Sequence, residues 1–113
     1  MGARVHELSI TQSIVDVCCE RAGDRRVLSV RVLIGALTAV LPDAMLFCFD
    51  VAAEGTAAEG ARLDIEHRAG AVHCRDCGAD TELADYLLLC PCGSADVRVV
   101  AGNELTIVSM EVG

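Results

Sequence analysis

Four cysteines crowd into the stretch HCRDCGADTELADYLLLCPCG, residues 73–93: Cys74, Cys77, Cys90 and Cys92. Their order is Cys-x2-Cys, twelve residues, then Cys-x-Cys. Two close pairs at the two ends of a hairpin can meet at one point, and four thiolates at one point suit tetrahedral Zn(II), with Zn–S bonds of about 2.3 Å. Gly78 follows the second cysteine and Gly93 the fourth, so the chain can turn tightly and aim backbone N–H groups at the sulfurs. Two disulfides, or four separate buried thiols, are the alternatives; the paired spacing in a small chain without a secretory signal favours a metal. Iron held as in rubredoxin would use the same four thiolates and would colour the protein. The second pair has a single residue between its cysteines, Pro91, which stiffens the bite and supplies no N–H. His73 is the only neighbouring substitute for Cys92 as fourth ligand.

A second candidate stands near the start, Val5-His6-Glu7. Imidazole nitrogen suits Ni(II), Cu(II) or Zn(II), and a histidine near an N-terminus can add deprotonated backbone amides, which favours square-planar Ni(II). From ligand chemistry alone, a His-Glu pair there reads equally as solvated surface. Of the remaining candidates, Cys18, Cys19 and Cys48 read as packing thiols, since free cysteine behaves as a small buried hydrophobe. His67 reads as an exposed strand residue.

The elements that must position these residues follow from periodicity. Residues 9–22, SITQSIVDVCCERA, predict an amphipathic helix. Ile10, Ile14, Val17, Cys18 and Arg21 fall near a 3.6-residue period, Val15 and Ala22 lie beside them, Ser9 is the expected N-cap and Gly23 the stop. Residues 26–34 alternate as a strand, with Val30, Val32 and Ile34 on one face and Ser29 and Arg31 on the other. Leu41-Pro42-Asp43 introduces a second helix, about 43–54, whose Leu46, Phe47, Phe49 and Val51 supply apolar surface. A loop covers 55–60, and residues 61–67 alternate again, Leu63 and Ile65 inward. The cysteine module spans about 70–101, with short strands expected at 81–89 and 96–100. Residues 104–112 predict a last strand that returns to the main sheet, because Leu105 and Ile107 need a partner face.

The predicted fold is therefore α+β: a small three-stranded sheet with two helices, residues 1–69 and 102–113, carrying an inserted zinc-ribbon-like β module, residues 70–101. That module is too small to fold on its own burial and would depend on its metal. Aromatic residues make up 3 % of the chain, so the core must be aliphatic. A net charge of −8 repels phosphate backbones and weighs against nucleic acid as the main ligand. The first ten residues lack an apolar signal-peptide core, and the run from Val32 to Leu41 is too short to insert in a membrane. The expected location is cytoplasmic, where thiols stay reduced.

HELSITQSIVDVC, VRVLIGALTAVLPDAMLFCFDV, AEGARLDIE, the four cysteines and GNELTIVSMEV, in that order from His6 to Val112, resemble the HypA/HybF family of nickel-insertion proteins for hydrogenase maturation. The resemblance implies a nickel-binding α/β domain and a separate structural zinc domain. It implies delivery of Ni(II) to the large subunit of [NiFe]-hydrogenase together with a GTPase maturation partner. Carried over to this chain, His6 matches the nickel histidine and Glu7 its neighbour. Asp43, the only acidic residue between Val32 and Phe49, is the candidate for a further nickel ligand, and Cys74, Cys77, Cys90 and Cys92 match the zinc ligands. Two features depart from the family pattern. Two residues usually separate the last two cysteines, where this chain has only Pro91. Family members begin Met-His-Glu, whereas here MGAR precedes Val5; a GUG codon reads as Val internally and as Met at a start site, so the natural protein is expected to begin at position 5.

These features point to a metallochaperone that works by ligand exchange: a weak nitrogen-and-oxygen nickel site that releases its ion, and a closed thiolate zinc site that does not. The alternative is a zinc-ribbon adaptor or interaction protein without nickel transfer. No nucleophile–base pair or glycine-rich phosphate loop supports an enzyme.

Overall fold

The computed structural model describes residues 6–85 and 87–113, apart from the side chain of His6. Val5, the MGAR segment before it and Tyr86 lie outside the described residues. The elements run in the order α1 (His6–Ala22), β1 (Val27–Gly35), a short 3-10 helix (Ala36–Thr38), α2 (Pro42–Ala53), β2 (Arg62–Arg68), β3 (Ala71–Cys74), β4 (Asp80–Glu82), β5 (Val97–Ala101) and β6 (Leu105–Val112). They form two three-stranded sheets, ordered β2-β1-β6 and β4-β3-β5. The chain divides into two compact units, Met1–Val32 with Val40–Glu66 and Thr106–Gly113, and Leu33–Ala39 with His67–Leu105. The fold class is thus α+β, with two helices and a small three-stranded sheet, and with a separate small β module around the cysteines.

In the first unit α1 packs against α2. Helix α1 begins three residues before the predicted start, and Ser9 is an exposed residue inside it rather than its N-cap. Glu7 in the first turn complements the positive end of the helix dipole. The buried Thr11 hydroxyl finds its acceptors within the helix, the Glu7 carbonyl at 2.9 Å and the Leu8 carbonyl at 3.0 Å, so it is satisfied without a partner from another element. The buried stripe is Glu7, Thr11, Ile14, Val15, Cys18 and Ala22. Thr11 and Cys18 lie at the centre of that stripe and Ile14 and Val15 at its two edges; Val17 and Arg21, expected near the apolar period, are exposed. One turn of 3.6 residues separates 14 from 18 but turns 17 and 21 toward water.

Strand β1 is the core of its sheet. Val30, Val32 and Ile34 are fully buried, as their alternation required, and each such side chain contributes about 1.5–3 kcal/mol of burial. Val27 is also buried although its parity is opposite, and its N–H leaves the ladder to bond the Ala57 carbonyl at 2.9 Å. Strand β6 does return to the main sheet beside β1. It lies at the sheet edge and buries none of its residues; Leu105 is exposed and Ile107 half-buried. On β2, Leu63 is buried, Ile65 is half-buried, and His67 is an exposed strand residue.

Helix α2 has Leu41 as N-cap and Pro42 in its first turn, where a missing N–H costs nothing. Its inward stripe is Met45, Phe49 and Ala53, spaced by four. Leu46, Phe47 and Val51 fall on the other sides of the helix and are exposed. Of the three helical cysteines only Cys18 is buried; Cys19 and Cys48 are half-buried.

In the second unit the backbone closes on itself through glycines. The Gly35 N–H donates to the Glu104 carbonyl at 2.8 Å and the Leu37 N–H to the Gly102 carbonyl at 2.7 Å. A Cβ on Gly35 would stand 2.0 Å from the Gly102 carbonyl oxygen, so no side chain fits at this crossing. Strand β3 was not foreseen. It pairs antiparallel with β4, Val72 opposite Thr81, and with β5, where a register irregularity falls between Ala71 and Val72. The strand expected at 81–89 ends at Glu82. The Asp85 carboxylate accepts the Leu87 N–H at 2.8 Å, a local turn that competes with extended pairing. The apolar run Leu87–Leu89 is exposed loop; runs without alternation do not define a strand.

Candidate metal centre

Strand β3 ends on Cys74, and the chain turns at once. The Gly78 N–H reaches back to the Cys74 carbonyl at 2.9 Å, and the Cys74 N–H donates to the Ala79 carbonyl at 2.9 Å. This turn lifts Cys77 over Cys74, with Gly78 at φ 79°, a left-handed value. The second pair uses a tighter device. The Gly93 N–H closes onto the Cys90 carbonyl at 2.8 Å, a turn whose two central residues are Pro91 and Cys92. Proline is suited to the first central position of such a turn, so the one-residue spacing brings Cys92 back toward Cys90.

The result is that all four sulfurs lie within 4.8 Å of one another. Cys74 Sγ is 3.7 Å from Cys92 Sγ, and Cys77 Sγ is 3.6 Å from Cys90 Sγ. A tetrahedron with 2.3 Å metal–sulfur bonds has edges of about 3.8 Å, so these separations fit a tetrahedral thiolate site. They are far beyond a disulfide bond of about 2.05 Å, and all seven cysteines are free. Among the described residues this is the one group of three or more histidine, cysteine or carboxylate side chains close enough to share an ion. His73 does not join it: its Nδ1 is 2.6 Å from an Asp80 carboxylate oxygen.

The thiols differ in how readily they ionise. The Cys77 N–H, 3.5 Å from Cys74 Sγ, is the main cause that brings the Cys74 thiol down to about 6, opposed by desolvation and aided by the Asp76 N–H. At Cys92 the Ser94 N–H acts to lower the pKa, but the Cys90 thiol, desolvation and the Cys74 and Cys77 thiols outweigh it and push it up to about 12. Cys77 is also raised: the Ala79 N–H is outweighed by Cys90, Cys74 and desolvation. Four thiolates at these separations repel one another, and a divalent cation at their centre removes the conflict.

Residues that sequence reasoning missed tie the two turns together. Ser94 Oγ donates to the Asp76 carboxylate. Arg75 Nη1 is 2.9 Å from an Asp96 carboxylate oxygen. These link the Cys74–Cys77 turn to the segment that follows Cys92, and contacts of this kind orient metal ligands. Their only sequence signal was polarity next to cysteine, which is not specific.

The second candidate set is distributed differently. His6 is the first residue of α1 and its side chain lies outside the described residues. Glu7 is 4 % exposed, and its Oε2 accepts the Leu41 N–H at 3.2 Å. Glu7 thereby holds the first turn of α1 against the N-terminus of α2, where the helix dipole favours a negative charge. Asp43 stands exposed in the first turn of α2, two residues beyond Leu41. The expectation is that Glu7→Leu costs about 1–3 kcal/mol in urea unfolding, whereas Glu7→Gln, which keeps an acceptor oxygen, costs less than half as much.

With that geometry in view, the relatives are informative. A family model described as HypA, hydrogenase/urease nickel incorporation, metallochaperone, matches residues 5–112. The chain is 47 % identical over 109 residues to the hydrogenase maturation factor HypA of Geobacter metallireducens, covering 96 % of this chain and 99 % of that one. It is 44 % identical over 108 residues to the protein of the same name from a Nostoc species, covering 96 % of each. The solution structure of the Ni metallochaperone HypA from Helicobacter pylori superposes with a TM-score of 0.66 at 25 % identity, over 94 % of this chain and 96 % of that one. A second HypA solution structure gives 0.68 at 27 % identity, over 96 % of each chain. By sequence over nearly its whole length and by fold, the chain belongs to the HypA family of hydrogenase maturation factors and nickel metallochaperones.

Proposed function

We propose that this protein binds Ni(II) and hands it over during maturation of [NiFe]-hydrogenase, without catalysing a reaction of its own. The observation that carries the proposal is the family match across residues 5–112, which takes in both candidate metal sites. The nickel ligands are His6, Glu7 and Asp43, in the portion formed by residues 1–69 and 102–113. Nickel is cargo here: nitrogen and oxygen donors hold it weakly enough for exchange to a better site. Glu7, with one carboxylate oxygen engaged by Leu41, keeps the start of α1 beside the turn that carries Asp43.

Zn(II) is the resident ion of Cys74, Cys77, Cys90 and Cys92, in residues 70–101. The fit of the sulfur separations to a thiolate tetrahedron supports it. When bound, zinc supplies folding energy and no open coordination position. The recipient of nickel is the hydrogenase large subunit, and a GTPase maturation partner acts with this chain, both in the cytoplasm. Among the described residues no helix is long and apolar enough to cross a membrane.

Elemental analysis of the purified chain tests the proposal, before nickel is added, after loading, and after dialysis against a chelator. The expected result is about one zinc per chain at every stage, and about one nickel that appears on loading and leaves on dialysis. Nickel that stays through dialysis, or no nickel uptake, would overturn the delivery role. Iron in place of zinc, visible as a coloured preparation, would overturn the assignment of the sulfur site.

A further inference from the structure

Helix α2 shows water a face that its own fold does not use. Phe47 is 70 % exposed, Val51 47 % and Leu46 43 %. Phe47 is one of only two phenylalanines in the chain, and the other, Phe49, is buried in the core. At 100° per residue, Phe47 and Val51 lie one turn apart on one line of the helix, and Leu46 lies on a parallel line. Between them runs a third line, Asp43, Asp50 and Glu54, all exposed. Among the described residues none of these three carboxylates forms an ion pair, since the pairs present are Arg62–Asp64, Arg68–Glu104, His73–Asp80 and Arg75–Asp96.

The charges are also placed against the helix. Asp50 lies in its last turn and Glu54 is its C-cap, at the negative end of the dipole, and no basic residue balances them there. Asp50 and Glu54 at the negative end of the helix, flanked by exposed aliphatic and aromatic side chains, cost the free protein stability, and a cation brought by a partner would offset them.

We propose that this face is a docking site for a basic amphipathic helix of a partner protein. Leucine-like residues one turn apart would cover Phe47 and Val51, and arginine or lysine residues between them would meet Asp50 and Glu54. A second copy of this chain is the wrong occupant, because it would set two acidic lines against each other in a molecule of net charge −8. The inference stands on α2 alone and does not depend on the nickel assignment.

The test uses the full zinc-loaded chain and a fluorescent synthetic peptide, helical, with leucines at i and i+4 and arginines between them. A glutamate version and a scrambled version serve as controls, and binding is read by anisotropy. The arginine peptide is expected to bind. Phe47→Ser should weaken it at least about tenfold, and so should the double change Asp50→Lys with Glu54→Lys. Raised salt should weaken it in the wild type. Thermal unfolding of each variant checks that the fold is intact; both replace exposed side chains, so if one fails to fold the other carries the test. Equal binding of the control peptides, no binding of any peptide, or unchanged binding by Phe47→Ser would overturn the proposal. So would sedimentation showing a wild-type dimer that Phe47→Ser dissolves.

Discussion

Cys92→Ser is expected to cost the protein its zinc and, with it, the fold of residues 70–101. A structural zinc site of four thiolates contributes about 10–16 kcal/mol of apparent binding free energy at neutral pH, and that energy is folding energy. The second unit has little else to fold with. Its buried apolar side chains are Ile34, Val72, Cys74 and Cys90, alongside the glycines Gly35, Gly70 and Gly102. Two of those four belong to the sulfur group itself. Removing one thiolate leaves three sulfurs that still repel one another and a cation with an open position, so retention should fall by orders of magnitude. Elemental analysis reads the metal, and amide exchange reads the fold. Amides of β3 and β5 should lose their protection while those of α1 and α2 keep theirs, because the two helices pack on each other and bury Val15, Met45 and Phe49 in the first unit. Cys19→Ser, a half-buried helical thiol outside the sulfur group, is the matched control and should leave zinc unchanged. Wild-type zinc content in Cys92→Ser would show that three cysteines suffice and that the Pro91 turn has another purpose.

The second large effect is expected from His6→Ala. Outer contacts to a metal site are typically worth 10–100-fold in affinity, so loss of a direct imidazole ligand should weaken nickel by more than about a hundredfold. Calorimetric titration of the zinc-loaded chain measures it. Asp43→Ala should have the smaller effect, since Asp43 is exposed and free to be replaced by water. Zinc content should be untouched in both, which separates loss of a nickel ligand from general damage. Unchanged nickel affinity in His6→Ala would remove the basis for the delivery role and leave a zinc-bearing adaptor as the better reading.

How much of this was legible beforehand differs from element to element. The face of β1 could be read from Val30, Val32 and Ile34, because a strand has a fixed period of two and a central strand must bury one side. The return of β6 to the main sheet could be read as well, but not its exposure. Which strand becomes an edge is decided by pairing partners far away in the chain. The start of α1 was misplaced because Ser9 looks like a cap, while the Glu7 and Leu8 carbonyls that take the Thr11 hydroxyl are visible only once the turn is formed. The outer face of α2 was misread for a related reason. Its apolar residues lie on both sides of the acidic line Asp43, Asp50 and Glu54, so composition alone could not say that Phe49 points inward and Phe47 outward.

The chemistry of the sulfur site belonged to the sequence, since ligand type and short spacing are covalent facts that no packing can alter. The family did too, because it rests on residues in order along nearly the whole chain. The tertiary structure decided what depends on distant segments meeting. It brought the two cysteine turns, thirteen or more residues apart, to 3.6–3.7 Å. It turned Glu7 inward onto the backbone of Leu41, thirty-four residues away, and left an acidic, aromatic face on α2 exposed among the described residues. Local sequence sets what a residue can bind; only the meeting of remote backbone segments sets what it is near enough to bind and which face remains for something else.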